Sequence, residues 1–321
     1  FTDVVLIDGD GRIWSQKVPS TPPHFEQAVL DATAHLLRER AAAADTAVDA
    51  IGARVAEVAH GTTVATNAVL EHRGAKTALV TTAGFRDVLE LRRGRTPQSY
   101  DLFFTKPPEL VERRLRFEVK ERIAADGEVL VDLDEAELHA LVESLRAESI
   151  ESVAVCTLHS YAYPQHERAI ADYLGKHLSS AIVSISSEVL PERKEYERTA
   201  TTVVNAYVRP IMEAYLDSMR SGLAAQKVEA PLLIMQSTGG LTPDDDAARR
   251  PVFALESGPA AGGLAASFTA SQLGISNLIT LDMGGTTAKA SMIEDGRISY
   301  SPEYEVGASL SAGNRLVGGG G

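Results

Sequence analysis

The chain has 321 residues, 44% of them hydrophobic, with 31 Lys+Arg against 44 Asp+Glu for a formal charge of −13. That is enough apolar chain for two domains with buried cores, and too acidic for the basic footprint of a nucleic-acid binder. One cysteine rules out an internal disulfide framework and suits a reducing, cytoplasmic setting, and no apolar run is long enough to span a membrane.

Strand-like and helix-like stretches alternate from the start, which predicts an α/β class. Residues 4–7 and 13–17 read as an opening hairpin. Thr21-Pro22-Pro23 starts a helix to about residue 44, with Phe25, Val29, Ala32 and Leu36 on one face. A strand at 55–59, a helix at 63–73 and a strand at 77–82 follow. The stretch 86–106 is irregular and carries Arg92, Arg93 and Arg95, which suits either an anionic ligand or a solvated loop. Residues 117–123 and 129–131 flank Asp126-Gly127 as a hairpin. A helix at 134–147, a buried strand at 152–158, a helix at 165–177 and a strand at 182–186 come next. A long helix over 191–225 contains Pro210, which predicts a kink near Arg209. It would link two lobes, so residues 1–190 are expected to form one and residues 191–321 the start of a second. Strands at 232–235, 252–255 and 278–281 close the chain, with a helix over 259–273 between the last two.

The segment Leu278-Ile279-Thr280-Leu281-Asp282-Met283-Gly284-Gly285-Thr286-Thr287-Ala288-Lys289 carries the most chemistry. Glycines let backbone N–H groups approach phosphate oxygens, and threonine hydroxyls add donors. Lys289 adds positive charge, and Asp282 can hold Mg²⁺ through water. An ordinary hairpin turn would use the same Asp and Gly residues for backbone geometry alone. A shift of 285 positions lays Thr2, Asp10, Gly11, Arg12 and Ile13 on Thr287, Asp295, Gly296, Arg297 and Ile298. Two copies of a phosphate-type hairpin predict two similar lobes closing on a nucleotide. Phe1 stands where Thr286 stands, so the chain reads as a fragment whose first hairpin lacks its phosphate-binding half.

His60-Gly61-Thr62-Thr63 lies where a strand meets a helix, and Asn67 falls one turn on. Such a helix entry can bind an anion or a polarised carbonyl, or serve only as a cap beside a packed histidine. Glu256 precedes the glycine-rich entry Ser257-Gly258-Pro259-Ala260-Ala261-Gly262-Gly263, and Ser237 lies in Gln236-Ser237-Thr238-Gly239-Gly240 at a strand end. Both read as crevice segments or as plain turns and packing. Cys156 sits in an apolar strand and reads as packing. His159 and His166 lack the spacing of a zinc site, and neither a Walker loop nor a Gly-x-Gly-x-x-Gly fingerprint is present.

Phe1-Thr2-Asp3, the block from His60 to Ala68 and the run from Asp282 to Lys289 together resemble the hydantoinase/oxoprolinase family. So do Ser160-Tyr161 with Pro164-Gln165-His166-Glu167, Tyr196-Glu197-Arg198-Thr199, Gln236 to Leu241 and Ser257 to Ala260. The wording Asp282-Met283-Gly284-Gly285-Thr286-Thr287-Ala288-Lys289 is most similar to the A-type subunits of hydantoin utilisation. The resemblance implies an actin-like ATPase fold, two duplicated ribonuclease-H-like lobes truncated at both ends here, with ATP and Mg²⁺ at their junction. It implies ATP-dependent opening of a cyclic amide, such as a hydantoin or 5-oxoproline, through a phosphorylated amide. Asp282, Asp3 and His60 would then be catalytic, with Asp282 also on the metal. Thr2, Gly284, Gly285, Thr286, Thr287 and Lys289 would hold phosphates, and Thr62, Thr63, Asn67, Ser237 and Glu256 the substrate. The rivals are the α-type subunit of an ATP-dependent ketone carboxylase, an actin-like small-molecule kinase, and an ATP-driven activator protein. A B-type partner subunit, separate or fused, and a hetero-oligomer are also implied.

Overall fold

The computed structural model describes residues 1–93, 102–103, 105, 108–283 and 288–299. β1 (Thr2–Ile7) and β2 (Ile13–Val18) pair antiparallel, and their half-buried face rests on α1 (Phe25–Ala43). Ala28, Ala32, Leu36, Leu37 and Ala41 give α1 one buried stripe at helical spacing. After α2 (Val48–Gly52), β3 (Val58–His60) and α3 (Val64–Leu70), β4 (Thr77–Thr82) begins a second sheet. α4 (Val88–Leu91) and a 3-10 turn at Arg113–Leu115 lead to β5 (Arg116–Val119). β6 (Arg122–Ile123) pairs with β7 (Val129–Val131), and α5 (Glu135–Ala147) follows, capped by Asp134 through Ala136 N at 2.8 Å. β8 (Ser152–Cys156), α6 (Gln165–His177), β9 (Ile182–Ile185) and α7 (Ser186–Val189) complete this half.

Sheet order β5-β4-β8-β9 is parallel throughout. Every residue of β4 and β8 is buried, as near-continuous apolar strands covered on both faces should be. The hairpin expected over 117–123 is therefore partly corrected: Arg116–Val119 joins the parallel sheet beside β4, and only Arg122–Ile123 returns to β7.

α8 (Glu195–Ala225) runs through Pro210 and packs on β8, β9, α1 and α3. β10 (Leu232–Met235) pairs antiparallel with β11 (Leu241–Pro243) and parallel with β3, so the expected boundary near residue 190 is crossed by a strand pair. After α9 (Asp244–Arg249), Pro251–Ala254 forms a 3-10 turn, where a strand was expected over 252–255. Pro251 opens that turn with a preset φ and no N–H for a ladder, and Ala254 and Leu255 bury into the core under α8. α10 (Ser257–Gln272) leads to β12 (Leu278–Met283), β13 (Ala288–Glu294) and β14 (Arg297–Ile298), an antiparallel meander.

The two hairpins aligned by the internal repeat turn differently. Asp295 and Gly296, at φ 50° and 72°, make a two-residue turn between Glu294 and Arg297. Gly11 shares the left-handed backbone at φ 78°, but Asp8 N bonds to Arg12 O at 3.1 Å, so the first turn holds one residue more. Among the described residues, no helix is long and apolar enough to cross a membrane.

Candidate active site

β3 and β10 run side by side with His60 opposite Ile234, and each ends in a glycine-containing turn. The carboxyl ends of parallel strands are where open α/β sheets bind ligands. Thr62 Oγ1 accepts from Val64 N (3.2 Å) at the entry to α3, and Asn67 Nδ2 donates to Thr63 Oγ1 (3.3 Å) one turn on. A third turn docks on these. Ser257 Oγ donates to the Thr62 carbonyl (3.0 Å), and Glu256 N donates to Thr66 Oγ1 (3.1 Å). Glu256 itself sits in the left-handed region at φ 61° to start α10. Ser237 N bonds to Phe253 O at 2.8 Å, tying the β10 turn to the same patch. His60, Thr62, Thr63, Asn67, Ser237 and Glu256 thus come from three sequence segments to one edge.

His60 also has a partner that sequence reasoning missed. Tyr215, from α8, places its hydroxyl 2.7 Å from His60 Nε2. Burial pushes the imidazole pKa down to about 4. It pushes the phenol up to about 12, against the Thr62 hydroxyl, which pulls it back. Both groups are neutral at pH 7. Tyr215 reads in sequence as another core aromatic beside Met212, Leu216 and Met219, and nothing local marks its polar tip.

Asp282 lies on β12 and lines a cavity of about 330 Å³ with Thr280, Ser291, Pro259, Gly262 and Gly263. Gly284, Gly285, Thr286 and Thr287 lie outside the described residues, and the Lys289 backbone pairs opposite Asp282. α10 joins the two regions. Ser257 at its start bonds to the Thr62 turn, and Pro259 and Gly262 face the Asp282 cavity. Among the described residues no group of three or more His, Cys, Asp or Glu could hold a metal ion. A lone carboxylate beside a cavity fits Mg²⁺ that keeps its water and phosphate ligands, not an all-protein cage.

Thr2 and Asp3 stand apart from this centre. Thr2 Oγ1 lies 3.0 Å from Ser20 Oγ, and Asp3 forms an exposed ion pair with Lys17 at 3.0 Å. Among the described residues no hydrogen bond or ion pair joins either of them to Asp282. In the arginine-rich stretch, Arg92 pairs with Glu109 (3.1 Å) and Arg93 with Glu197, while residues 94–101 lie outside the described residues.

The other sheet gathers a second set of motif residues at its own carboxyl edge. Glu167 accepts from Thr157 N (3.0 Å), Ser187 N (2.9 Å) and Ser186 Oγ (2.5 Å). Arg198 donates to Ser160 Oγ (2.8 Å) and Thr157 O (3.0 Å) and stacks over Tyr161. His166 Nδ1 lies 2.7 Å from Glu121, which also takes the Thr82 hydroxyl. Glu167, Thr157 and Ser160 are 0% exposed and Arg198 1%, and Arg198 Nε, Thr157 Oγ1 and Ser187 Oγ are buried with no hydrogen-bond partner among the described residues. Cys156, its thiol pushed up by burial and 3.0 Å from Thr199 Oγ1, belongs to the same packed layer. It has the packing role its apolar strand predicted.

Known proteins are similar to this chain in sequence and in fold. Caprolactamase subunit alpha from Pseudomonas jessenii is 34% identical over all of this chain and 47% of its own length. The crystal structure of ATP-dependent caprolactamase from that organism superposes with a TM-score of 0.78 at 35% identity, over 91% of this chain and 42% of that one. 5-Oxoprolinase 1 of Arabidopsis thaliana is 33% identical over 78% of this chain and 21% of its own length. A nucleotide-free acetone carboxylase structure shares the fold, with a TM-score of 0.83 at 23% identity over 92% of this chain and 43% of that one. The chain spans about half the length of the caprolactamase subunit it matches. The pattern described as the hydantoinase/oxoprolinase N-terminal region matches residues 1–178, and the hydantoinase/oxoprolinase pattern matches residues 198–317. With those two matches in tandem over strands and helices in the expected order, the chain belongs to the hydantoinase/oxoprolinase family.

Proposed function

We propose that the full-length protein uses ATP to open a cyclic amide ring by phosphorylating the amide oxygen. The observation that carries this reading is α10. Its first residue bonds to the His60–Thr63 turn, and its next turns line the Asp282 cavity. Six residues of helix, about 9 Å, separate Ser257 from Gly263, so a carbonyl-type edge and the Asp282 cavity lie within one substrate's reach. The names of the relatives, a caprolactamase and a 5-oxoprolinase, support a lactam as the substrate class.

An unactivated amide carbonyl is a poor electrophile. Transfer of the terminal phosphoryl group of ATP to the amide oxygen, with ADP leaving, activates the carbon. Water adds there, the ring C–N bond breaks with a proton passing to nitrogen, and a second water releases phosphate from the acyl phosphate. Asp282 would hold Mg²⁺ through water. Gly284, Gly285, Thr286 and Thr287 offer donors to the phosphates, and Lys289 offsets their charge. Thr2 and Asp3 belong to the facing hairpin, a role supported by the left-handed glycine it shares with the second hairpin. Thr62, Thr63, Asn67, Ser237 and Glu256 surround the ring with His60. The names "subunit alpha" and "gamma subunit" among the relatives support a B-type partner and a hetero-oligomer. A single cysteine and a need for ATP suit the cytoplasm.

The test is phosphate release by the full-length protein with its partner, across hydantoins, 5-oxoproline, larger lactams, and ketones with bicarbonate. Release driven by a ring, reduced about a hundredfold or more in Asp282→Asn, is the expected result. Release only with ketone and bicarbonate would overturn it in favour of a carboxylase. A stable phosphorylated product would mean a kinase, and substrate-independent release an activator.

A further inference from the structure

The bonds around His60 have a direction. Among the described residues, the Tyr215 hydroxyl has its hydrogen bond with His60 Nε2, 2.7 Å away. A phenol is a stronger donor than an imidazole N–H, and an imidazole nitrogen is the stronger acceptor, so the phenol proton points to His60 Nε2. An imidazole that accepts at Nε2 and is uncharged must carry its proton on Nδ1. Among the described residues nothing bonds to Nδ1, and the ring is only half-buried, so that N–H faces outward from the chain.

We infer that Tyr215 is the positioning residue of this site, holding His60 as the neutral Nδ1–H tautomer so that the ring donates a hydrogen bond to a ligand's carbonyl oxygen instead of acting as a base. Burial keeps the imidazole uncharged down to about pH 4 and the phenol uncharged up to about pH 12. A neutral donor suits a neutral acceptor: it takes one lone pair of an amide oxygen and leaves the other free to attack phosphorus. The identity of the ligand rests on the ring-opening reading, while the tautomer rests on the Tyr215–His60 hydrogen bond.

The experiment is ¹⁵N NMR of the full-length protein labelled at histidine, with His60 identified by the signal that His60→Gln removes. The wild type is expected to show one tautomer, protonated at Nδ1, at pH 7. Tyr215→Phe keeps the packing and removes only the donor. It should shift the ring towards the Nε2–H tautomer and lower ring-driven kcat about tenfold, the worth of one hydrogen bond, with KM for ATP unchanged. An Nε2–H ring in the wild type, or an unmoved ring in Tyr215→Phe, would overturn the inference. Turnover with ketone alone, together with the expected tautomer shift, would sink the ring-opening reading and support this assignment.

Discussion

A fully parallel sheet and the parallel pair β3–β10 both end in polar residues, and the two ends have opposite character. At the carboxyl edge of β5-β4-β8-β9, Glu167 and Arg198 are buried to within 1% and bond to Thr157, Ser160, Ser186 and Ser187, while Arg198 Nε, Thr157 Oγ1 and Ser187 Oγ have no partner among the described residues. At the edge of β3 and β10, His60 and Asn67 are half-buried, Thr63 is exposed, and a cavity opens along the neighbouring helix. Topology alone marks both as ligand positions. The difference is burial: at the first edge the polar groups are sealed under α8, and at the second partly exposed groups lie beside a helix that lines a cavity.

The largest effect expected from this contrast is at the closed edge. Arg198→Ala removes a large, fully buried side chain that donates to the Thr157 carbonyl and the Ser160 hydroxyl, and should lower unfolding stability in urea by about 3–5 kcal/mol. Glu167→Ala should do the same by orphaning Thr157 N and Ser187 N. A variant of either residue that folds with full stability and loses turnover would break the comparison, because the closed edge would then be a site.

A smaller effect separates the two edges by pH. The folded-state pKa of His60, about 4, lies below its ordinary 6.5. The unfolded chain therefore binds the proton first as pH falls. His60's contribution is fully present above pH 6.5 and is lost between 6.5 and 4, by roughly 1–3 kcal/mol after allowing for partial exposure. Urea titrations at pH 7 and 5 should show this loss in the wild type, and His60→Gln should flatten it. An unchanged pH slope in His60→Gln would mean the ring is not held neutral by burial.

The smallest expected change sharpens the open edge. Thr63→Ala removes a hydroxyl that bonds only to Asn67 at 3.3 Å, so stability should move by no more than about 0.5 kcal/mol. Ring-driven phosphate release should still fall, read as a rise in KM for the ring. A stability loss beyond about 2 kcal/mol would make Thr63 part of the packing.

Much of this was legible in the chain. The expected strands at 77–82 and 232–235 and the helix at 165–177 coincide with β4, β10 and α6, because apolar runs and helical spacing are local signals. The segments from His60, Ser237 and Glu256 were each visible as strand or helix ends. Their convergence was not, since it depends on β3 finding β10 across the chain. Short elements such as α2, α7, α9 and β11 escaped notice because a few residues carry no periodicity. The apolar stretch Val252 to Leu255 misled for the same reason, and only Pro251 hinted at a tight turn. Ser160, Glu167 and Arg198 were conspicuous as motif residues, yet which polar residues a fold seals away is a property of packing. Tyr215 was invisible: its partner lies 155 residues away, and its neighbours on the helix are plain core.

The pairing of β3 with β10 also sets an order of assembly during synthesis. All four strands of the β5-β4-β8-β9 sheet have been made once the ribosome passes Ile185, and they can register with one another from then on. Strand β3 must wait for residues 232–234, another 49 positions, before its parallel neighbour exists. At translation rates of about 5–20 residues per second that delay is roughly 2–10 s. Throughout it the His60 end of the chain lacks its partner strand, while the neighbouring sheet is already whole. Limited proteolysis of stalled ribosome-bound chains should find cleavage near His60 until β10 emerges, and protection there before that point would refute the sequence of events.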